Sequence, residues 1–319
     1  MTEWPSGYLH RDYAASLAEV GTPRELTHCG GWFLERTIPG SALRDGMGCY
    51  PLFACQNWSA LPSDLELLAD QLISLTLVTD PFGAFSESDI RRSFDTVIPY
   101  KRHYVTELES WCERAMPRRH RRNLAESLSR VRVEACLEPA RLSNDWFHLY
   151  EHLIARHHIT GITAFSPWSL EKQLHVPGLL MFKASVEEEV VGLHLWYVQG
   201  DFAYGHLGAT SAGGYESMAS YALYRYAIEH LRGQVRWLDL GSVPDASDAQ
   251  LDDGLRRFKA GWSTGVRWVY LCGRIFQPER YATLVDERGV GTTRYFPAYR
   301  LGEFTASGSP HRQARRTLC

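Results

Sequence analysis

The 319-residue sequence has few features that would place it outside the ordinary globular proteins. Its seven cysteines are an odd number and none forms a CxxC pair, which argues against a disulfide framework and against a zinc ribbon. The longest apolar run, residues 72–78, is far shorter than the ~18 residues of a membrane span. The N-terminal MTEWPSGYLHRDY lacks the apolar core of a signal peptide. We therefore expect a cytoplasmic protein with reduced thiols and no membrane span.

Several signatures of catalysis and metal binding are also missing. His148 and His152 are spaced i, i+4, but the glutamate of HExxH is absent, so we predict no metal site. GWSTG, residues 261–265, matches the GxSxG of hydrolases, yet a predicted helix precedes it and a predicted strand follows, the reverse of the required order. Ser263 is therefore rejected as a nucleophile. The net charge of −3 argues against a surface that coats nucleic acid generally and leaves room for a local basic patch.

The second half of the chain carries the clearest pattern of strands and helices. Three apolar runs separated by short turns indicate consecutive strands in a meander, and a run with helical periodicity follows them. The first half echoes this order more faintly. The predicted elements are strands 179–186, 190–198 and 202–209, helix 216–231, strand 235–240, the helix around GLRRFKAGW and strand 266–276, and in the first half strand 49–56, helix 64–72 and strands 73–78 and 103–108.

The cationic segment GLRRFKAGW lies between two of the predicted strands. Apolar residues at i, i+4, i+7 and i+11, from Leu251 to Trp262, form one narrow helical stripe against a core, and Gly261 suits the left-handed residue that ends a helix. The two arginines project away from this stripe. Lys259 lies at its border, with its stem covered and its ammonium at an edge. Lys259 is therefore either a snorkelling surface lysine or a functional cation.

The segment HLGATSAGGYESMAS joins a predicted strand to a predicted helix through glycine and small residues. It contains neither the GK[ST] of a Walker loop nor a GxGxxG. Such a connection leaves the first N–H groups of the helix, from about Tyr215 onward, unpaired and able to bind a phosphate. A simple tight connection is the alternative. The candidate cofactor-binding residues are Ala212, Gly213, Gly214, Tyr215, Glu216 and Ser217.

The central segment MPRRHRRNL combines four arginines with a helical apolar stripe. Such a run is either a solvated helix face or an anion site for the phosphates of a cofactor, a nucleotide-linked acceptor or a tRNA end, because guanidinium forks match phosphate oxygens. Two histidines farther along the chain are either pocket residues or helix-end residues. The candidate substrate-binding residues are Arg118, Arg119, Arg121, Arg122, His157 and His158.

Three segments, GATSAGGYESMASYALYRYAIEHL, WLDLG and GLRRFKAGW, occur in this order with MPRRHRRNL upstream. Together they resemble the FemAB-like branch of the GNAT acyltransferase superfamily, over most of the chain and most strongly at residues 150–276. The resemblance implies an α/β (α+β) fold with two tandem GNAT-like domains, each a mixed, mostly antiparallel sheet flanked by helices. We place these domains at residues 1–140 and 141–302, followed by a flexible tail at 303–319.

The resemblance also implies an N-acyltransferase that moves an acyl group from an acyl-CoA or acyl-carrier thioester to the amine of a small-molecule acceptor. It places Lys259, with Phe258 beside it, where negative charge develops on the acyl oxygen, a role that suits an ammonium at a partly dry edge. It places loop 212–217 where GNAT enzymes hold the pyrophosphate of coenzyme A, although the loop departs from the usual R/QxxGxG/A. The donor is a substrate, so no tightly bound cofactor is expected. Asp239, at a strand end, and His206 are candidate general bases, with a water or the substrate itself as the alternatives.

Two other functions remain open. Characterised members of the FemAB-like branch transfer an amino acid from aminoacyl-tRNA, and in that case the four central arginines would meet phosphates. Candidate partners are therefore tRNA or an acyl-carrier protein. The other alternative is a non-catalytic binding module on a GNAT scaffold, since a fold does not establish a function. The sequence identifies neither the acceptor nor the oligomeric state.

Overall fold

The computed structural model describes residues 5–243 and 252–304. None of the helices in these residues combines the length and the apolar content that a bilayer crossing demands. Contacts within the chain divide it into two compact units. The first comprises Met1–His10, Tyr100–His157 and Leu170–Val269, and the second comprises Arg11–Pro99, His158–Ser169 and Tyr270–Cys319. The predicted boundary between residues 140 and 141 falls inside the first unit. From residue 305 onward, the predicted tail lies outside the described residues.

The helices and strands follow one another along the chain as mixed α/β structure. The strands are β1 (Thr22–Leu26), β2 (Gly31–Thr37), β3 (Arg44–Gly48), β4 (Ser74–Val78), β5 (Thr96–Glu107), β6 (Arg132–Cys136), β7 (Leu179–Val186), β8 (Glu189–Gln199), β9 (Phe202–Thr210), β10 (Trp237–Asp239) and β11 (Gly265–Ile275). The helices are α1 (Arg11–Ala15), α2 (Leu61–Leu68), α3 (Glu87–Ser93), α4 (Arg118–Leu128), α5 (Ser143–His157), α6 (Pro167–Gln173), α7 (Ala212–Glu216), α8 (Ala219–Leu231), α9 (Asp252–Trp262) and α10 (Pro278–Glu287).

The sheet of the first unit is built around the short strand β10. This strand pairs in parallel with β9, where Trp237 lies opposite Phe202, and antiparallel with β5, where Asp239 lies opposite Val105. Beyond β9, the strands β8, β7 and β6 follow as antiparallel neighbours. The resulting order β5-β10-β9-β8-β7-β6 gives Asp239, at the end of β10, a neighbouring strand on each side.

The core of the first unit includes side chains from the sheet and from helices α4, α8 and α9. Trp196 of β8, Leu124 of α4, Ile228 of α8 and Trp262 of α9 belong to one buried cluster and are at most 1% exposed. Burying an apolar side chain of this size contributes about 1.5–3 kcal/mol. Because Trp262 lies one helical turn after Lys259, its burial fixes the orientation of the helix face that carries the lysine.

The second unit has a sheet and a core of its own. Strands β1, β2 and β3 are antiparallel neighbours, β3 pairs in parallel with β4, and β4 pairs antiparallel with residues 271–275 of β11. Phe33, Phe53 and Leu72 belong to its core and are at most 1% exposed. The apolar faces of these strands and of α2 explain why the segment folds, since each can be buried only against the others.

The fold class predicted from the sequence is confirmed, because the chain forms mixed α/β structure with mostly antiparallel strands flanked by helices. Each predicted strand of the meander at 179–209 matches β7, β8 or β9 to within one residue at each end. The predicted helix 216–231 is instead divided between α7 and α8. Met218 adopts the left-handed conformation, with φ of +56°, and this interrupts the helix.

The strand predicted at residues 49–56 is wrong. The strand lies just before it, as β3, and within the predicted residues Phe53 forms only an isolated bridge. Pro51 has no N–H to donate to a strand ladder. The glycines of β3 resemble a turn in the sequence, but they serve close packing, since a Cβ added at Gly46 would lie 2.7 Å from the side chain of Leu75 on β4.

Candidate active site

Lys259 lies on α9, and the turn that follows β10 sets the position of its ammonium. Its Nζ donates a hydrogen bond to the carbonyl oxygen of Ser242 at 2.6 Å. The turn depends on Gly241, whose φ of +76° lies in the left-handed region, and a Cβ added at this glycine would be 3.2 Å from Nζ. The lysine is half-buried, so it lies at the border of the buried face, as its helical phase predicts.

The surroundings of Lys259 lower the pKa of its ammonium to about 8. Burial is the largest cause, because it disfavours the charged form. The carboxylate of Asp239 acts in the opposite direction, and the positive charge of Lys101 lowers the pKa further. At neutral pH the ammonium is therefore mostly protonated, yet it releases its proton more readily than an exposed lysine does.

Asp239 ends β10 and connects the turn to the neighbouring strand. One of its carboxylate oxygens accepts the N–H of Gly241 at 2.8 Å, and its two oxygens lie 2.8 and 3.0 Å from Nδ1 of His103. Asp239 is 3% exposed, so a backbone donor and an imidazole compensate the burial of its charge. Both residue types also bind metals, but across residues 5–243 and 252–304 no group of three or more His, Cys, Asp or Glu is placed to hold a metal ion.

His103 and Lys101 project from the same face of β5, since alternate residues of a strand share a face. His103 is 7% exposed, and Lys101 is close enough to influence the pKa of Lys259. Neither was among the site residues predicted from the sequence. The segment YKRHYV shows the two alternating, but only the pairing of β5 with β10 brings His103 to Asp239.

Aromatic side chains line the surroundings of the lysine. The ring of His194, on β8, lies 4.9 Å from that of Tyr224 and 4.8 Å from that of Trp196, centroid to centroid. Burial, and after it the positive charge of Lys259, lowers the pKa of His194 to about 3, so its imidazole is neutral. Burial and the charge of Asp239 raise the pKa of Tyr224, so its phenol is neutral too. Two of the side chains near Lys259 are therefore uncharged.

Phe258, predicted to act beside Lys259, serves to hold α9 in place. Its ring centroid lies 5.0 Å from that of Tyr221 and 4.9 Å from that of Tyr224, both on α8. Its carbonyl oxygen lies 3.0 Å from Nε2 of His120 on α4. Burial, and to a lesser degree the charge of a neighbouring arginine, lowers the pKa of His120, so a neutral imidazole donates this hydrogen bond. The residue that precedes Lys259 is thus fixed by two helices.

Two expectations for α9 are wrong. Gly261 does not end the helix in a left-handed conformation, because it lies within α9. A Cβ added there would be 2.2 Å from Nε2 of His120, so glycine permits the close approach of α4. Leu255, assigned to the buried stripe, is 40% exposed, because the buried face of α9 is centred on Trp262 at its C-terminal end. Leu251, the first residue of the predicted stripe, lies outside the described residues.

His206, a candidate general base, lies in a hydrogen-bond network with Tyr8 and Gln173. Its Nδ1 is 3.0 Å from the hydroxyl of Tyr8, and its Nε2 is 2.9 Å from Oε1 of Gln173. Because an amide oxygen only accepts, Nε2 carries the proton and Nδ1 accepts from the tyrosine. Burial lowers the pKa of His206 to about 3. Both ring nitrogens are occupied, which favours a structural role, and catalysis by His206 stays a prediction.

Loop 212–217 forms the short helix α7, and three of its N–H groups are already used. The side-chain oxygen of Ser211 accepts the N–H of Gly214 at 3.2 Å, and its carbonyl accepts the N–H of Tyr215 at 3.0 Å. Ser217 donates its N–H to the carbonyl of Gly213 at 2.9 Å. The expectation of unpaired N–H groups is therefore wrong at these positions. Gly214 packs so closely that an added Cβ would be 2.2 Å from a carbonyl oxygen of β8.

Tyr215, an exposed residue of this loop, contacts two side chains at the C-terminal end of α5. The hydroxyl of Tyr215 is 3.1 Å from Nε2 of His157, and the guanidinium carbon of Arg156 lies 3.9 Å from the centre of the tyrosine ring. The structure thus brings together two residues predicted for different ligands and adds Arg156, which the sequence did not single out. His158 is assigned to the second unit. The exposed residues of the loop are Ala212, Gly213, Tyr215 and Glu216.

Helix α4 divides its basic residues between two faces. The four predicted arginines are exposed, whereas His120 among them is buried against α9. Arg121 donates a hydrogen bond to the carbonyl oxygen of Arg114 at 2.9 Å. The exposure fits both a solvated face and an anion site, so phosphate binding stays a prediction for these residues. They are Arg118, Arg119, Arg121 and Arg122.

Comparisons with known proteins give structural relatives and no match by sequence. No protein-family model matches the chain, and no curated protein matches it. The crystal structure of FemX superposes with a TM-score of 0.66 at 12% identity, over 88% of this chain and 95% of that one.

Two further structures cover the chain to a similar extent. The C-terminal domain of a protein described as a lysylphosphatidylglycerol synthetase from Agrobacterium fabrum gives a TM-score of 0.61 at 12% identity, over 93% of this chain and 94% of that one. L-PGS from Bacillus licheniformis gives 0.57 at 13% identity, over 92% and 100%. At such identities the likeness establishes the fold alone. The chain has the fold of FemX and of these two synthetase structures.

Proposed function

We propose that the protein is an N-acyltransferase that moves an acyl group from an activated ester or thioester to an amine. The observation that carries this proposal is the half-buried ammonium of Lys259, fixed by the carbonyl of Ser242 at 2.6 Å. When an amine attacks an activated acyl group, negative charge develops on the acyl oxygen. A fixed ammonium next to that oxygen stabilises the transition state more than the ground state, which is what accelerates the reaction.

The electrostatics of Lys259 support this role. A pKa lowered to about 8 means that nearby negative charge only partly offsets the burial of the ammonium in the protein without substrate. A developing oxyanion would supply the missing negative charge, so the interaction strengthens as the reaction proceeds. Perturbed lysines of this sort concentrate at functional sites. A snorkelling surface lysine, the alternative from the sequence, would keep its ammonium in water and its pKa near the ordinary value.

The first candidate donor is a thioester, an acyl-CoA or an acylated carrier protein, with a small-molecule amine as acceptor. The FemAB-like resemblance supports it and points to loop 212–217 as the donor anchor. Since the N–H groups of Gly214, Tyr215 and Ser217 are engaged, we expect side chains to supply most of the phosphate contacts. Arg156, stacked on Tyr215, supplies a guanidinium there.

The second candidate donor is an aminoacyl-tRNA. The observation that favours it is the row of four exposed arginines on α4, the helix whose His120 bonds to the residue before Lys259. Guanidinium groups on one exposed helix face suit a phosphate backbone. The FemAB-like resemblance includes transferases of this kind, which is consistent with this donor and does not decide between the two.

Trapping the acyl group on hydroxylamine tests the function without knowledge of the natural acceptor. The protein is mixed with acetyl-CoA, palmitoyl-CoA, an acylated carrier protein or alanyl-tRNA, and hydroxamate is measured above the rate without protein. We expect one donor class to give hydroxamate. The rate of hydroxamate formation should fall by about 10²–10³-fold in Lys259→Met, which is the usual effect of removing one oxyanion-hole donor. Arg257→Met, an exposed cation of the same helix, is the matched control and should keep the wild-type rate.

The same assay separates an enzyme from a binding module. A donor that raises the unfolding temperature of both wild type and Lys259→Met, with no hydroxamate from either, would support a non-catalytic protein and contradict the proposal. Hydroxamate formed equally by both proteins would contradict the role of Lys259.

Salt dependence separates the two donor classes. Binding to tRNA should weaken steeply with salt, and each arginine of α4 changed to glutamine should lower the slope of log K against log salt by about 1. Arg141→Gln, an exposed arginine outside α4, is the control. A slope that the α4 variants leave unchanged would exclude these arginines as the tRNA contact.

A further inference from the structure

His103 and Asp239 form a pair with the geometry of an oriented base. The carboxylate oxygens of Asp239 lie 2.8 and 3.0 Å from Nδ1 of His103. A carboxylate accepts only, so Nδ1 carries a proton, and in the neutral ring Nε2 holds the lone pair. Within residues 5–243 and 252–304, the only hydrogen bonds found for the ring are these two at Nδ1. The basic nitrogen of His103 is therefore left available.

The pair belongs to the same site as Lys259. Asp239 accepts the N–H of Gly241, the turn residue that precedes the carbonyl bonded to the ammonium. Asp239 and Lys101 both act electrostatically on Lys259, and Lys101 shares the face of β5 with His103. The ionisable groups contributed by the elements around the pair are Lys101 of β5, Asp239 of β10, Lys259 of α9, Tyr224 of α8 and His194 of β8.

Transfer to an amine requires a group that takes a proton. The amine nitrogen must lose a proton as its bond to the acyl carbon forms, and a lysine that holds the oxyanion as an ammonium does not accept it. Asp239 has its oxygens bonded to His103 and Gly241. His206 has both ring nitrogens occupied. His194 is also a neutral imidazole, but burial and the charge of Lys259 lower its pKa to about 3, which makes it a poor proton acceptor. Among the described acids and bases of this site, His103 is the remaining candidate.

We infer that His103 is the general base of the proposed acyl transfer, with Asp239 as the residue that positions it. This inference rests on the proposed function. The lone pair of the amine attacks the acyl carbon and forms the C–N bond, while the acyl oxygen takes the negative charge beside Lys259. The amine proton passes to Nε2 of His103. The oxyanion then collapses, the bond to the donor oxygen or sulfur breaks, and the leaving group takes that proton from the imidazolium.

Acceptors that differ in basicity test the inference. Once bonded to the acyl carbon, the nitrogen of methylamine is a weakly acidic ammonium that needs a base, whereas the nitrogen of the hydroxylamine adduct is acidic enough to lose its proton to water. We expect His103→Gln to lower transfer to methylamine by about 10²–10⁴-fold and transfer to hydroxylamine by less than about tenfold. His103→Ala should regain methylamine transfer when imidazole is added. His230→Gln, a histidine of α8 that stacks on Tyr226, is the matched control and should change neither rate.

A second variant covers the case in which His103→Gln does not fold. Asp239→Asn keeps the size of the side chain and should show the same selective loss with methylamine, because the imidazole loses the carboxylate that fixes its tautomer. If the variants lose transfer to both acceptors equally and imidazole does not restore it, His103 has a structural role and the inference is wrong. A wild-type rate of His103→Gln with methylamine would overturn it as well. A wild type that acylates neither acceptor from any donor overturns the proposed function itself, and with it this inference.

Discussion

Two buried cations, one in each compact unit, are held in opposite ways. In the second unit Arg300, 7% exposed, forms a fork with the fully buried Asp45 and donates further hydrogen bonds to the carbonyl of Thr37 and to Glu303. In the first unit, the hydrogen bond found for the ammonium of Lys259 among the described residues goes to a neutral carbonyl oxygen. One cation is surrounded by carboxylates and the other is not.

The pKa values of the two cations shift in opposite directions because their surroundings differ. Burial works to lower the pKa of Arg300, but the hydrogen bonds and charge of Asp45 outweigh it, and the pKa lies above its ordinary value. For Lys259 burial prevails over the attraction of Asp239, and the pKa falls to about 8. A fully paired charge holds a fold together, whereas an incompletely paired one keeps the capacity to stabilise a new negative charge. We therefore expect a structural role for Arg300 and, under the proposed function, a chemical role for Lys259.

The largest expected effect is on stability in the second unit. Arg300→Met leaves Asp45 with the hydroxyl of Tyr299 and Nε of Arg36 as partners, and a buried carboxylate that loses its main cation destabilises strongly. We expect the free energy of unfolding in urea to fall by about 3 kcal/mol. The double variant with Asp45→Asn should lose less than the sum of the two single changes, because both members of the pair are then gone. Additive losses would contradict the pairing.

A smaller effect is expected where α4 meets α9. Gly261→Ala puts a Cβ 2.2 Å from Nε2 of His120, and overpacking of this kind costs about 1–3 kcal/mol. The variant should also displace Lys259, so it should slow acyl transfer more than its loss of stability explains. Adding His120→Ala removes the clash and should restore much of the stability. A Gly261→Ala protein as stable as wild type would show that the two helices do not approach this closely.

The smallest expected effect is a gain in stability when Lys259 is replaced. Its pKa is depressed from 10.5 to about 8, so between these values the unfolded chain binds more protons and wild-type stability rises with pH. Below about pH 8 the cost of the buried charge is complete. Lys259→Met should therefore stabilise at neutral pH by about 1 kcal/mol, after allowance for the lost hydrogen bond. The gain should vanish near pH 10.5, and a loss at neutral pH would contradict the account.

Local periodicity predicted many of the strands and helices. It failed where contacts with distant segments determine the local structure. The meander from β7 to β9 follows from alternating residues and short turns, and it matches closely. Strand β3 was missed because its glycines are explained only by the approach of β4. The break at Met218 was missed because a methionine in left-handed conformation has no sequence signal.

The candidate site was also predicted only in part from the sequence. Helical phase located Lys259, since its relation to Trp262 depends on α9 alone. His103 was missed because its partner Asp239 lies 136 residues away, and only sheet pairing joins them. Loop 212–217 was assigned unpaired N–H groups from about Tyr215 onward, yet Ser211 accepts the N–H groups of Gly214 and Tyr215. The position of Lys259 depended on one helix, whereas the pair of His103 and Asp239 depended on two distant strands.

The dependence of transfer on pH, with hydroxylamine as acceptor, tests the central claim about Lys259 most directly. Hydroxylamine stays uncharged from about pH 7 upward, so a fall in rate reports on the protein and not on the acceptor. The account predicts that kcat/KM declines above about pH 8, by about tenfold per pH unit, as Lys259 loses its proton. The low residual rate of Lys259→Met should show no such decline. A wild-type rate that stays level or rises from about pH 8 to about pH 10, in protein that remains folded, would contradict the claim that the ammonium stabilises the oxyanion.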